Sequence, residues 1–281
     1  VSFAQQGVHD KAIDCIYKAI TIDSKNASFY LNLGNSQQEL GRFEQALASF
    51  DRFISFQPNL DIAHFNRGNV LFSLSRLDEA LVSYSRAIYL NKGNAEFFYN
   101  RANVYQVLRR HQESFSDYQE ALRLNPCHVG ALFNGGNALQ DLRRISEAIS
   151  FYDRAISVSP NVAFIHGNRA NALFFQKRYS DALQSYDVAI ALDPNVADLY
   201  YNRGVLLRNM NCFQQAIQSL ETAQRINQEF PYINGMIIFS RIKICDWSYF
   251  YKYLEDLSTN THLEKKFTFS FNVLPLTDSL Y

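Results

Sequence analysis

The sequence predicts an all-α chain: a solenoid of stacked helix hairpins with a helical cap and an extended tail at the C-terminal end. Three observations carry that expectation. Asparagine recurs at 34-residue steps, as Asn32, Asn66, Asn100, Asn134, Asn168 and Asn202. Small residues recur on the same period at several places within each step. Proline closes most of the steps, at Pro58, Pro126, Pro160 and Pro194. A fixed period of this length is the mark of one supersecondary unit stacked on copies of itself.

Taken in order, residues 1–26 read as the tail of an earlier hairpin, with Ala12 and Ala19 at its small positions and its first helix mostly missing. The chain opens on Val1 in the middle of that hairpin, which reads as a fragment, and this end is expected to fray or to enter dimer contacts. Six complete hairpins fill residues 27–230, with position 1 at Ala27, Asp61, Ala95, Val129, Ala163 and Ala197. Position 8 is glycine or alanine throughout: Gly34, Gly68, Ala102, Gly136, Ala170 and Gly204. Positions 20 and 27 are small as well, with Ser114 and Phe53 as the variants. Small residues there let paired helices approach at the short end of the usual range of about 8–10 Å. An aromatic at position 24 (Phe50, Tyr84, Tyr118, Tyr152, Tyr186) fills the gap between them. Proline at position 32 stops the second helix, and Lys92 is the departure in hairpin 2.

This combination resembles the tetratricopeptide repeat over about residues 1–230. The resemblance implies a right-handed superhelical solenoid of tetratricopeptide helix hairpins, whose first helices line an inner, concave surface.

At 100° per residue, positions 4, 8 and 11 of the first helix face the second helix, and positions 2, 6, 9 and 13 face away. Position 6 is asparagine in all six hairpins. Position 9 is asparagine in five, Asn35, Asn69, Asn103, Asn137 and Asn171, with Val205 as the exception. A carboxamide offers one acceptor and two donors, which complements a peptide group. A column of them is therefore expected to hold an extended polypeptide by its main chain. With helices about 10 Å apart and a strand rise of about 3.3 Å, one rung serves about every third guest residue. The competing reading is that the amides bond to one another or to helix termini and only stiffen the stack.

Arginine at position 7 follows an aspartate by 16 residues in Arg67, Arg169 and Arg203, which predicts ion pairs between successive hairpins. Leu33 follows Tyr17 as an apolar pair, and Arg101 follows Ser85 and breaks the pattern. His64 and His166 fall at position 4 and are expected as hydrogen-bonded core residues. Phe164, Phe174 and Phe175 flank the inner stripe of hairpin 5 and are read as an apolar groove spot.

Composition narrows the classes. The 27 basic and 27 acidic side chains balance, so nucleic acid and anionic membrane are not expected as partners. No apolar run reaches the roughly 20 residues that span a bilayer. Cys15, Cys127, Cys212 and Cys245 lack metal or disulfide spacing and read as reduced, partly buried thiols of an intracellular, cytoplasmic protein. No catalytic constellation, phosphate loop or metal set emerges, so no enzyme activity, cofactor or metal is expected in this chain.

Past Phe230 the pattern fades, and residues 231–281 read as a cap and linker. Pro231 to Ile244 reads as a helix, Asp246 as the cap of a second helix near Trp247 to Leu257, and Lys266 to Leu276 as an extended segment. Ile238 replaces the small position 8, so an ordinary partner helix is not expected to fit there. The string Lys243-Ile244-Cys245-Asp246-Trp247-Ser248, followed later by Phe271-Asn272-Val273-Leu274-Pro275-Leu276, resembles the segment joining repeats to the catalytic domain in O-linked N-acetylglucosamine transferases and SPINDLY-like proteins. That resemblance implies a substrate-gripping arm, a catalytic domain absent from this chain, and a UDP-sugar donor bound only there. In that family an inner asparagine column grips protein substrates, and it maps onto the position 6 series. The alternatives are a stand-alone adaptor or assembly scaffold with no associated enzyme, and a spacer that forms a homodimer through its repeat surfaces. A chaperone-type carboxylate clamp is disfavoured, because positions 2 and 5 carry no lysine in any hairpin.

Overall fold

A computed structural model describes residues 3–228 and 233–248. All regular structure among the described residues is helical. A single helix α1 (Phe3–Ile22) is followed by six hairpins: α2 (Ala27–Glu39) with α3 (Phe43–Phe56), α4 (Asp61–Ser73) with α5 (Leu77–Leu90), α6 (Ala95–Val107) with α7 (His111–Leu124), α8 (Val129–Asp141) with α9 (Ile145–Val158), α10 (Ala163–Phe175) with α11 (Tyr179–Leu192), and α12 (Ala197–Asn209) with α13 (Phe213–Ile226). Helix α14 (Ile233–Lys243) follows. The chain packs as two compact units, Val1–Phe151 and Tyr152–Tyr281, divided within α9. In the first unit, α4 packs against its own partner α5 and against the preceding α3, and α6 does the same with α7 and α5. The second unit repeats this for α12, with α13 and α11, and adds α14 against α13.

The two helices of each hairpin are joined by one recurring turn. Position 15 adopts a left-handed backbone in Gly41 (φ 70°), Ser75 (58°), Arg109 (57°), Arg143 (62°), Lys177 (60°) and Asn211 (60°). The next amide bonds back five residues, as Arg76 N to Leu71 O, and position 15 bonds back three, as Ser75 N to Phe72 O. This is the Schellman closure of a helix end. Arginine or cysteine at position 16 opens the second helix. Arg76, Arg110, Arg144 and Arg178 each pair with the acid three residues on: Glu79, Glu113, Glu147 and Asp181.

The second helix ends by a different device from the expected one. In three hairpins the side chain at position 31 caps the turn: Asn91 accepts from Gly93 N at 2.9 Å, Asn125 from Cys127 N at 3.2 Å and Asp193 from Asn195 N at 3.1 Å. Hairpin 2 therefore closes normally with Lys92 in place of proline, because an Asx turn competes with further helix without needing one.

The small positions do what their volume allows. Position 20 is fully buried in Ala46, Ala80, Ala182 and Ala216, and Ser114 satisfies its hydroxyl on Ala102 O at 3.0 Å. A Cβ on Gly34 or Gly68 would lie 2.7 Å from the ring of Phe50 or Tyr84, so the position 24 aromatic lies directly over the glycine. Phe53, the large residue at position 27, shares a buried cluster with Ala27 and Ala63. Position 3 of the next hairpin is thus small where position 27 is large. After an alanine at position 27 it is larger in three hairpins (Phe97, Ile165, Leu199) and small in one, where Ala131 follows Ala121.

Helix α14 keeps the register. Counting on from Ala197 puts Cys245 at position 15, and it has the same left-handed backbone, φ 58°. Asp246 then accepts from Ser248 N at 3.1 Å, and the helix it was expected to cap lies almost wholly outside the described residues. The second helix and the extended segment expected beyond it, together with Pro231, lie outside the described residues. Three of the four cysteines are exposed and Cys212 is half-buried, which corrects the expectation of partly buried thiols: Cys15, Cys127 and Cys245 fall on helix and turn surfaces.

Candidate functional site

Positions 2 and 13 of the first helices are exposed in most hairpins, as in Glu39, Ile62, Glu96, Val107, Asp141 and Asp198. Positions 6 and 9 run between them. Asn32 and Asn35 are exposed, and Asn66, Asn69, Asn100, Asn103, Asn134, Asn137, Asn168, Asn171 and Asn202 are half-buried.

The two asparagine series have different local duties. Position 9 turns its oxygen to the position 24 phenol of its own hairpin: Tyr84 and Tyr118 donate to Asn69 and Asn103 at 2.7 Å, and Tyr186 donates to Asn171. Burial pushes all three phenols up in pKa, so they remain donors across the ordinary pH range. The two positions vary together. Hairpin 6 has Val205 opposite Leu220, which has no hydroxyl to satisfy. Hairpin 1 has Phe50, and Asn35 there accepts from Asn66 Nδ2 at 2.9 Å instead.

Position 6 reaches backward or inward. Asn66 donates to Asn35, and Asn134 donates to Asn103 Oδ1 at 3.1 Å and Tyr99 Oη at 3.3 Å. All three bonds link successive hairpins of the first unit. Asn100 and Asn168 instead donate to carbonyls one turn back, Glu96 O at 2.8 Å and Phe164 O at 2.9 Å. The amides therefore form local links, as the competing reading expects, on a face that still meets solvent.

The neighbouring expectations fall as follows. Arg67, Arg169 and Arg203 pair with Asp51, Asp153 and Asp187, and each also donates to a serine 16 residues ahead: Ser83, Ser185 and Ser219. Arg101 does not break the pattern. It donates to Ser85 behind and forks onto Asp117 ahead at 2.7 and 2.8 Å, so serine and aspartate have exchanged places. At hairpin 4 the arginine is Gly135, and the ring of Phe151 takes up the space, 3.0 Å from where a Cβ would be. Tyr17 and Leu33 are not a simple apolar pair. Gln37 donates to the Tyr17 hydroxyl at 3.3 Å and accepts from Ser49 at 2.7 Å, so position 11 bridges where position 7 carries no polar group. His64 and His166 tie to Pro58 O at 2.9 Å and Pro160 O at 2.8 Å; His166 is buried, as expected of a core residue, whereas His64 is only half-buried. Phe164 and Phe175 are 55% and 64% exposed at positions 2 and 13, whereas Phe174 stacks beside Tyr179 at 5.8 Å. Among the described residues no group of His, Cys, Asp and Glu could hold a metal, and no helix is long and apolar enough to cross a membrane.

The hairpin geometry is matched by sequence families. Residues 2–41, 68–108 and 170–211 match the family model described as TPR repeat. Residues 27–60, 95–126, 129–162 and 197–230 match models described as tetratricopeptide repeat. The chain is a tetratricopeptide repeat protein. Comparison with curated proteins gave no match. Among solved structures, the tetratricopeptide chain resembles YrrB, described as a TPR protein with an unusual peptide-binding site, at 24% identity over 64% of this chain and 92% of that one, TM-score 0.56. It also resembles pilF from Pseudomonas aeruginosa, at 18% identity over 79% and 95%, TM-score 0.62. A third likeness is to the APC/C hetero-tetramer Cut9-Hcn1, at 15% identity over 84% and 47%, TM-score 0.62. At these identities the likeness establishes the shared tetratricopeptide fold.

Proposed function

We propose that the chain is a protein-recognition scaffold that holds extended polypeptide along the first-helix faces bearing Asn32, Asn66, Asn100 and Asn134 in the first unit and Asn168 and Asn202 in the second. The observation that supports this most is the recurrence of a solvent-meeting carboxamide at position 6 in every hairpin, flanked by exposed positions 2 and 13. Each neutral hydrogen bond contributes only about 0.5–1.5 kcal/mol, so several rungs act together. YrrB, with the same fold, is itself described as carrying a peptide-binding site. Position 6 is the clean place to test the idea, because position 9 also satisfies buried phenols. Replacing Asn100, Asn168 and Asn202 together by alanine is expected to weaken binding of an unstructured peptide about tenfold or more while the melting temperature moves little. Unchanged affinity by calorimetry rejects the reading.

The finer proposal is that this scaffold is the acceptor-binding arm of a protein O-glycosyltransferase, with the UDP-sugar donor bound elsewhere. It rests on the resemblance of Lys243 to Ser248 and Phe271 to Leu276 to the transferase junction. A stand-alone adaptor is equally compatible with the hairpin geometry. The coding sequence downstream of Tyr281 separates the two: a sugar-transfer domain there supports the arm, and a stop codon supports the adaptor. Homodimerisation through repeat surfaces is a further proposal, and a solution mass that stays monomeric across a hundredfold concentration range removes it.

A further inference from the structure

In hairpins 2, 3 and 5 the two asparagine series bond in opposite senses. Position 9 spends its oxygen inside the fold: Asn69 and Asn103 accept from Tyr84 and Tyr118 at 2.7 Å, and Asn171 accepts from Tyr186. Position 6 spends its nitrogen: Asn66 donates to Asn35 Oδ1, Asn100 to Glu96 O and Asn168 to Phe164 O. What is left over is Nδ2 at position 9 and Oδ1 at position 6. Among the described residues, the buried side-chain nitrogens and oxygens without a partner belong to Gln106, His111 and Arg208, so the leftover atoms of all six asparagines reach solvent. Neither amide is free to turn round. Tyr84, Tyr118 and Tyr186 are buried, and burial pushes their phenols up in pKa, so each keeps a proton that needs an acceptor. Reversing the amide at position 9 takes that acceptor away, and reversing it at position 6 sets oxygen against oxygen.

We infer that the buried phenols at position 24 polarise the first-helix faces, so that position 9 offers a guest only N–H and position 6 only a carbonyl oxygen. This rests on the reading of those faces as a polypeptide site and gives that site a sense. Tyr84, Tyr118 and Tyr186 are positioning residues, which act on the guest through the asparagine amide. An extended residue presents its own N–H and C=O on one edge. Each of these hairpins therefore takes a guest residue with its N–H over position 6 and its C=O over position 9. The two positions are one helical turn apart, about 5–6 Å between Cβ atoms, so the guest's N-to-C sense follows that of the first helices. The guest is a chain of secondary amides. A stretch of proline or other N-substituted residues has no N–H for position 6 and is refused.

The test uses hairpin 5 in the full chain and an uncharged, end-blocked Gly/Ser decapeptide, with affinity measured by calorimetry. Two variants place the same new charge one turn apart. Asn168→Asp makes the guest-facing oxygen of position 6 an anion and is expected to tighten binding about threefold. Asn171→Asp still accepts from Tyr186 but has no N–H for a guest carbonyl, and is expected to weaken binding about tenfold. Changes of the same sign overturn the inference and leave the polypeptide reading standing. The same peptide with sarcosine in place of glycine is expected to bind about tenfold more weakly, and equal binding also overturns the inference. Tyr186→Phe is compatible with the fold, since Phe50 fills the same place in hairpin 1, and it frees the Asn171 amide to turn. It is expected to weaken binding about twofold in the Asn171 chain and not at all in Asn171→Asp. A loss of equal size in both backgrounds assigns Tyr186 a structural role only and overturns the inference. If the native chain binds no peptide, the polypeptide reading falls, and the polarity is read from the side-chain amide protons of 15N-labelled chain. Exchange with water as fast as in free asparagine at Asn171, and slowed at Asn168, supports it; the reverse order overturns it.

Discussion

Position 15 shows how much one backbone angle is worth. Five of the six hairpins close on a residue with a side chain in the left-handed region, where a Cβ costs roughly 1–2 kcal/mol and glycine costs little. Replacing exposed Arg109 by glycine is therefore expected to stabilise the chain by about 1 kcal/mol in urea unfolding, and Gly41→Ala to destabilise it by a similar amount. A second residue-scale test concerns Asn69, the acceptor for the Tyr84 hydroxyl. Asn69→Val leaves a buried phenol unpaired and is expected to cost about 1–3 kcal/mol. Adding Tyr84→Leu reproduces the Val205 and Leu220 combination of hairpin 6 and is expected to recover part of that loss. Position 9 was legible in the sequence as a repeated asparagine but not as a phenol acceptor, because its partner lies 15 residues away on the facing helix, a distance that the periodicity of one helix does not reveal.

Between helices, the position 7 arginine ties three elements at once. It stands between position 25 of the hairpin before and position 23 of its own, and one of these is serine and the other aspartate. In hairpin 3 the order is reversed, and the pair is the more enclosed: side-chain exposure is 19% for Arg101 and 9% for Asp117, against 23% for Arg67 and 51% for Asp51. Burial alone would lower the Arg101 pKa, but its bonds to Asp117 offset this and raise it. Arg67→Ala is therefore expected to cost about 1 kcal/mol or less. Arg101→Ala strands a buried carboxylate and is expected to cost about 3–5 kcal/mol. Asp117→Ser is expected to destabilise, and adding Ser85→Asp to restore most of the loss; a double-mutant cycle showing additivity refutes the exchange. The sequence showed the partner behind each arginine, and so Arg101 looked unpaired. The partner ahead requires knowing which face of the second helix folds back against the first.

Across the whole chain, the 34-residue period, the hairpins and their small contact positions were all readable before any coordinates, because stacking one unit forces the same volumes to recur. What was not readable is how the series is finished at its ends. Tyr17 and Glu221 occupy position 25 where the following position 7 is apolar, Leu33 or Ile237. In both places position 11 takes over, as Gln37 bonding Tyr17 and Arg241 bonding Glu221. Helix α14 covers Ile217, Leu220 and Ala223 with Ile233, Met236 and Ile237. Ile233→Ala is expected to cost about 2–5 kcal/mol as a buried large-to-small change, measured by thermal unfolding. The reversed serine and aspartate around Arg101 also make hairpins 2 and 3 non-interchangeable. Tandem copying of hairpin 2 would set Arg67 between Ser85 and Ser83 with no carboxylate. Deleting hairpin 2 would set Arg101 between Asp51 and Asp117, with two negative charges on one positive. A gene that copies or removes hairpin 2 must therefore repair the new seam with a second substitution, whereas hairpin 5 repeats the Asp-behind, Ser-ahead arrangement of its neighbours and can be copied or removed with every arginine still paired.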